Sequence, residues 1–265
     1  MEISIIINNY QTKGLLKQCL RGIFTFPPSV EFEVIVVDNN SNDGTVEMVR
    51  ENFPQVKLIA SLENLGHHRG NNLGIKSSNG KYILILNTDI AIVDNAIDKL
   101  YQFMQGHEQV ALVGPRLRNP DNSIQLSCMR FPAPWVPLYR RTFLGNFSFA
   151  KKKLDQYLMT DFNHETTREV DWILGACEMV RRSAIDKVGL MDEYLFLYFG
   201  DVAWCKKFHD NGYGVYYFAG ADIVHYHKRE SAESGLFSRI FWIHIFDWLK
   251  YLKKYSKKNV VQKNT

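Results

Sequence analysis

Residues 32–49 read FEVIVVDNNSNDGTVEMV. The opening FEVIVVD (32–38) is a nearly unbroken β-branched and aromatic run, the pattern of a strand buried on both faces rather than one alternating between core and water. It ends on Asp38 and passes through Asn, Ser, Asp and Gly, which build turns for distinct stereochemical reasons. A helical pattern then begins at Val46, Met48 and Val49. Strand, polar turn, helix is the unit from which parallel sheets are made.

The same unit recurs on either side. EISIIIN (2–8), VKLIA (56–60), YILILN (82–87) and VALVG (110–114) read as further buried strands. Leu15, Leu16, Cys19, Leu20 and Ile23 repeat at helical spacing before Pro27 and Pro28, and Ala96, Ile97, Leu100 and Phe103 do so after Asp94. The fold class is therefore α/β, with a mostly parallel, Rossmann-like central sheet and helices on both faces.

A chain of 265 residues with 46% hydrophobic content can bury a full core, and one domain is expected. The net charge of +4 owes much to Lys250, Lys253, Lys254, Lys257, Lys258 and Lys263 near the C-terminus, so the body does not read as a nucleic-acid binder. Cys19, Cys128, Cys177 and Cys205 are too scattered for a zinc knuckle or disulfide framework and suit a reducing cytoplasm. The N-terminal MEISIIINNY carries Glu2 where an export signal wants a basic residue, and reads as a first strand.

In open α/β sheets, ligands gather at the carboxyl ends of the strands. Those ends hold Asn9, Tyr10 and Gln11; Asp38, Asn39, Asn40 and Ser41; Glu63, Asn64, Leu65 and Gly66; and Asn87, Thr88 and Asp89. Each alone is an ordinary loop, but four polar ends on one edge favour a binding site. No P-loop and no G-x-G-x-x-G follows the first strand, so phosphate must be held in another way. Asp89 after a buried strand suggests a divalent cation shared with diphosphate oxygens, and hence a nucleotide-sugar site.

Read together, IIINNYQT (5–12), VVDNNSNDGT (36–45), NLGHHRGNNLGI (64–75), GKYILILNTD (80–89) and the stretch from Trp172 to His227 resemble the inverting glycosyltransferases of family 2, with the GT-A fold, and especially their rhamnosyltransferase-like branch. The resemblance implies a catalytic domain over 1–230, with a nucleotide-binding half (1–115) and an acceptor-binding half (116–230), followed by an amphipathic, basic helical tail (231–265). It implies that Asp38 accepts from a pyrimidine N3–H while Tyr10 packs on the ring. Asn9, Asn40, Asn64, Gly66, Arg69, Asn72 and Asn87 would complete the nucleotide-sugar side, although Asn72 also suits a helix cap. Trp172, Gly175 and Ala176 would face the acceptor. Asp89 matches the last acid of the D-x-D motif, with Asn87 replacing the first, and His225 matches a histidine that joins the metal or the diphosphate. The ion would be Mn²⁺ or Mg²⁺, imidazole favouring the former.

The family's catalytic base lies in the pattern aromatic-Glu-Asp-x-Asp-aliphatic-Cys, which here reads FGDVAWC (199–205). Asp201 keeps the place of the base, while the other two acids fall on Gly200 and Ala203. A helix N-cap is the competing reading of Asp201. Without acidic neighbours, its basicity rests on desolvation by Phe196, Tyr198, Phe199 and Trp204. A second departure, HHR at 67–69, reads either as positive charge near the diphosphate or as a solvated helix face.

Residues 120–170 show little regular pattern and carry Arg140, Arg141 and Lys151 to Lys153; they read as a mobile flap, an anionic lipid-diphosphate site or a plain surface excursion. The run GLFSRIFWIHIFDWLKYLKKYSKK is too polar to span a bilayer. Its Trp242, Trp248 and Tyr251 with following lysines favour an interfacial helix (236–258) at the inner face of the cell membrane, against docking on its own domain or on a second copy in a homodimer. The expected activity is transfer from a dTDP- or UDP-sugar, dTDP-rhamnose among them, to a glycan or lipid-linked acceptor in bacterial surface polysaccharide synthesis. A weakly active nucleotide-sugar-binding homologue and a sugar nucleotidyltransferase are the alternatives.

Overall fold

The computed structural model describes residues 1–226 and 238–255. His227, the beginning of the tail and Lys257, Lys258 and Lys263 lie outside these residues. In chain order the elements are β1 (Ile3–Asn9), α1 (Lys13–Thr25), β2 (Phe32–Asp38), α2 (Thr45–Asn52), β3 (Lys57–Ala60), α3 (Gly66–Lys76), β4 (Tyr82–Leu86), β5 (Ile90–Ile92), α4 (Ala96–Gly106) and β6 (Val110–Arg118). They continue with β7 (Cys128–Met129), α5 (Val136–Arg141), a 3-10 turn (Phe143–Asn146), α6 (Ser148–Leu158), β8 (Arg168–Glu169), β9 (Trp172–Ile173) and β10 (Cys177–Arg181). Last come α7 (Arg182–Val188), α8 (Gly200–Asp210), β11 (Gly214–His225) and α9 (Arg239–Tyr255).

Among the described residues the main sheet runs β3-β2-β1-β4-β10-β6-β11-β5, with β8 on β11. β1 pairs in parallel with β2 and β4, so Ile7 lies beside both Val36 and Leu86 and the polar ends after these strands fall on one edge. β10 enters antiparallel between β4 and β6. Apolar side chains leave both faces of the central strands. Ile6, Ile35, Ile85 and Val180 join one core with Trp204 and Phe208 of α8, while Ile5, Val36, Leu84 and Met179 join another with Leu16, Leu20 and Leu100. This two-sided burial is why the strands read as continuous apolar runs.

Two expectations are corrected. Residues 120–170 are not an irregular flap: α5, the 3-10 turn and α6 pack through Val136, Ala150, Tyr157 and Met159. The α6 sequence SFAKKKLDQYL hides this because three consecutive exposed lysines break the apolar spacing and only Ala150 and Tyr157 are buried. The C-terminal helix α9 docks on its own domain, burying Asp247, Trp248, Tyr251 and Tyr255. Trp248 and Tyr251 therefore belong to the core and are not available to a membrane surface, whereas Trp242, Phe246 and Leu249 remain exposed on the outer face. Among the described residues, no helix is long and apolar enough to cross a membrane.

Candidate functional site

The turn after β2 is built around Asp38. Its carboxylate, 3% exposed, accepts from Asn9 Nδ2 at 2.9 Å, from the Ser41 backbone N–H at 3.1 Å and from the Ser41 hydroxyl at 2.5 Å. Asn9 is fully buried, also donating to Ser41 and Thr45 and accepting from Thr12. Asn9 and Asp38 thus clamp β1 to the β2 turn. That turn, with Asn40 in left-handed geometry at φ 60°, borders a solvent-open cleft of about 200 Å³ lined by Asp38, Asn40, Asn42, Thr45 and Ser61. Tyr10 stands 45% exposed on the neighbouring strand end.

At the start of α3, Asn64 Oδ1 accepts from Gly66 N at 2.9 Å. Gly66 has φ +79°, and a β-carbon there would fall 2.6 Å from Phe196 O, so the close backbone approach it permits is to residue 196 of the same chain. Asn72 is neither a cap nor ligand-facing: fully buried in mid-helix, it donates to Met191 O and Glu193 and accepts from Met191 N. The HHR residues take three directions. Arg69 is exposed and pairs loosely with Glu63 at 3.8 Å. His67 feels Asp89, but burial pushes its pKa down to about 4; burial and then the His67 charge push buried His68 down to about 3. Both imidazoles are neutral at pH 7, so the reading of HHR as a cationic patch is corrected for its two histidines.

Asp89 and His225 meet across β5 and β11, with Asp89 Oδ2 3.3 Å from His225 Nε2. Gln125 Oε1 lies 2.7 Å from His225 Nδ1. An amide oxygen can only accept, so Nδ1 donates to Gln125 and Nε2 is the nitrogen that faces Asp89. A carboxylate oxygen and an imidazole nitrogen this close are residue types that would hold a divalent ion, with diphosphate oxygens and water supplying any further ligands. Among the described residues no third His, Cys, Asp or Glu joins them.

Asp201 lies in the first turn of α8, but the N-cap is Phe199, in left-handed geometry at φ 64°. The capping reading is therefore corrected. Asp201 Oδ2 accepts from Gly175 N at 3.2 Å and Oδ1 from Val202 N at 2.8 Å. Burial pushes its pKa up to about 6 against the pull of these N–H groups. Desolvation thus does what the missing acids do not. The next residue after Gly175 links the base to the cation edge, since Asn87 N donates to Ala176 O at 2.9 Å, two residues before Asp89.

Of the three residues read as facing an acceptor, only Gly175 touches Asp201. Trp172 is 6% exposed with its indole N–H donated to Arg130 O, and Ala176 is 1% exposed. Both are core residues, because the short β9 and the turn before β10 are covered by surrounding elements.

Sequence reasoning passed over Glu178, whose carboxyl is fully buried on β10 with neither oxygen hydrogen-bonded. Burial, then the Asp201 charge, raises its pKa well above the usual range. One acid inside the apolar run CEMV was the available signal.

Comparisons with known proteins fit this geometry. The sequence model of Glycosyl transferase family 2 matches residues 4–189. An N-acetylglucosaminyl-diphospho-decaprenol L-rhamnosyltransferase of Mycobacterium tuberculosis is 26% identical over 226 residues, 75% of this chain and 67% of that protein. The low-salt glycan biosynthesis hexosyltransferase Agl10 of Haloferax volcanii is 26% identical over 210 residues, 78% of this chain and 61% of that protein. Among solved structures, the mannosyltransferase PcManGT from Pyrobaculum calidifontis in complex with GDP-Man and Mn²⁺ superposes with a TM-score of 0.59 at 18% identity, covering 94% of this chain and 69% of that one. S. aureus TarS 1-349 in complex with UDP gives 0.61 at 15% identity, covering 98% and 74%. The fold is GT-A, and with 186 matched residues (4 through 189) out of 265, the chain belongs to glycosyl transferase family 2, rhamnosyltransferase-like in its relatives.

Proposed function

We propose that this chain is an inverting, metal-dependent glycosyltransferase that moves a sugar from a nucleoside-diphosphate donor to a hydroxyl of a glycan or lipid-linked acceptor during surface-glycan assembly. The observation that supports this reading is the bridge from Asp201 through Gly175 and Ala176 to Asn87, which ties the turn that holds the Asp201 carboxylate to the strand end two residues before Asp89. The donor base occupies the cleft at Asp38, Asn40 and Thr45, with Tyr10 free to cover the ring. A dTDP- or UDP-sugar is the expected donor, dTDP-rhamnose being favoured by the rhamnosyltransferase relative.

Asp201 is the general base. With a pKa of about 6 it is ionised at neutral pH yet more basic than an ordinary carboxylate. It takes the acceptor proton as the hydroxyl oxygen attacks the anomeric carbon on the face opposite the diphosphate, so a single carboxylate suffices for this single displacement. Gly175 N and Val202 N orient its oxygens. Asp89 and His225 hold the cation, Mn²⁺ or Mg²⁺, which when bound neutralises charge on the leaving diphosphate. On the far side of the domain's last helix, Trp242, Phe246 and Leu249 form an apolar stripe suited to peripheral contact with a membrane carrying the acceptor.

Gly200 and Ala203 motivate a second reading, a nucleotide-sugar binder without turnover. A panel of UDP-, dTDP- and GDP-sugars with Mn²⁺ or Mg²⁺ separates the two. Metal-dependent thermal stabilisation with donor hydrolysis supports the transferase, stabilisation alone supports the binder, and no response to any donor overturns both.

A further inference from the structure

Asp247 sits on α9, beyond the family match, and is 1% exposed. Its carboxylate faces three successive backbone N–H groups of the loop before α8: Phe196 at 3.1 Å, Leu197 at 2.9 Å and Tyr198 at 3.0 Å. A carboxylate collecting consecutive N–H groups fixes the dihedrals of the segment that supplies them. That segment leads through Phe199, held at φ 64°, into Gly200 and Asp201. Phe199 is itself enclosed by α9, its ring 5.0 Å from His244, 5.1 Å from Trp248 and 5.7 Å from Tyr251 between centroids. On the other side, Phe196 O accepts from His67 N at 2.7 Å, tying the same loop to the start of α3.

We propose that Asp247 is a positioning residue for Asp201, which makes α9 part of the catalytic apparatus and not an appended tail. The inference rests on the reading of Asp201 as the base. Asp247 does not touch substrate. It sets the loop whose last residue is the N-cap of the helix that carries the base, so its loss displaces the base while leaving the Asp38 cleft and the Asp89–His225 edge intact. A displacement near 1 Å at a reacting group costs about 100-fold in rate.

The test uses the full chain and the first sugar nucleotide among UDP-glucose, dTDP-rhamnose and GDP-mannose from which the wild type releases nucleotide with Mn²⁺. Asp247→Asn keeps the size but turns an amide toward N–H donors. It is expected to lower kcat about 100-fold with the donor KM unchanged, to speed amide exchange at residues 196–198 but not in β1 or β4, and to move the acid limb of the pH profile below its wild-type position as Asp201 becomes better solvated. Asp247→Glu, which retains a carboxylate, covers failure of the Asn variant to fold and is expected to restore amide protection and part of kcat. Wild-type kcat and wild-type amide exchange in Asp247→Asn would overturn the proposal, as would an equal loss of donor binding. Asp201→Asn is run in parallel. Full transfer in that variant, or no release from any of the three sugars by the wild type, removes the assigned base and the proposal with it; an inactive Asp201→Asn beside a fully active Asp247→Asn sinks the positioning role alone.

Discussion

A β-carbon placed on Gly200 would lie 2.1 Å from Cε1 of His68, so the glycine on α8 and the imidazole on α3 occupy one space between them. The glycine at 200 and the histidine at 68 are therefore coupled in this chain. Refilling position 200 alone must displace a buried ring.

Gly200→Glu is accordingly expected to cost about 1–3 kcal/mol through overpacking. His68→Gly in the same chain should recover much of that loss. Thermal unfolding of the wild type, both single variants and the double variant gives the coupling directly. Additive losses would show that the two positions do not share the space.

Asp201→Asn is expected to abolish transfer by at least about 100-fold while making the protein more stable. The folded pKa of about 6 lies above the unfolded value of 3.8, so the protonated form favours folding. This contribution is complete below pH 3.8 and is lost as pH rises through about 6. An amide copies the protonated form, and its partial exposure limits the gain to the order of 1–2 kcal/mol above that window. Wild-type kcat/KM should fall on the acid side with an apparent pKa near 6. A profile flat through pH 5 in the wild type, or a destabilised Asn variant, would contradict the assignment.

Glu178 follows the same sign. Both of its oxygens are buried without a partner, and its folded pKa stands well above the usual 4.5. Stability is thus given up as pH rises above the ordinary carboxylate range, because the unfolded chain ionises there and the folded chain does not. Glu178→Gln should raise the melting temperature at pH 7–8 and have little effect near pH 4, worth about 1–3 kcal/mol. Equal melting temperatures at both pH values would show that Glu178 is not held neutral.

The sheet was legible because its strands are buried on both faces, and burial writes itself as unbroken runs such as FEVIVVD and YILIL. The edge holding Asp38 and Asp89 was legible because turn chemistry and one acid after a strand are local signals, whereas Asp201, in the first turn of α8, was singled out as a base only through the family resemblance. What escaped was long-range. Asp247 meets residues 196–198 about fifty positions earlier in the chain, and Trp248 gives the same letter pattern whether it faces lipid or its own domain. Trp172 and Ala176 escaped likewise, since a short apolar stretch does not disclose whether a cleft or a core lies in front of it. The α6 helix was lost because its lysines outnumber the few side chains that dock it.

Gln125 escaped for the same reason, and it carries the last prediction. It lies 100 residues from His225 and contributes no charge, but its Oε1 at 2.7 Å accepts from Nδ1 and so turns Nε2 toward Asp89. With Nδ1 donating to Gln125, Nε2 is the nitrogen left facing Asp89 Oδ2 at 3.3 Å, and it is the one that would ligate a divalent ion held between them. Gln125→Leu removes the acceptor while keeping much of the volume, leaving the other tautomer free to form and to turn an N–H toward Asp89. The expected result is a loss of about 10- to 100-fold in Mn²⁺ affinity, read as the Mn²⁺ concentration needed for UDP or dTDP to stabilise the protein thermally. Asp89→Asn should weaken the same response at least as much, because it removes a donor charge outright. If Gln125→Leu binds Mn²⁺ as the wild type does while Asp89→Asn does not, His225 is not a ligand and its contact with Asp89 is only an ion pair.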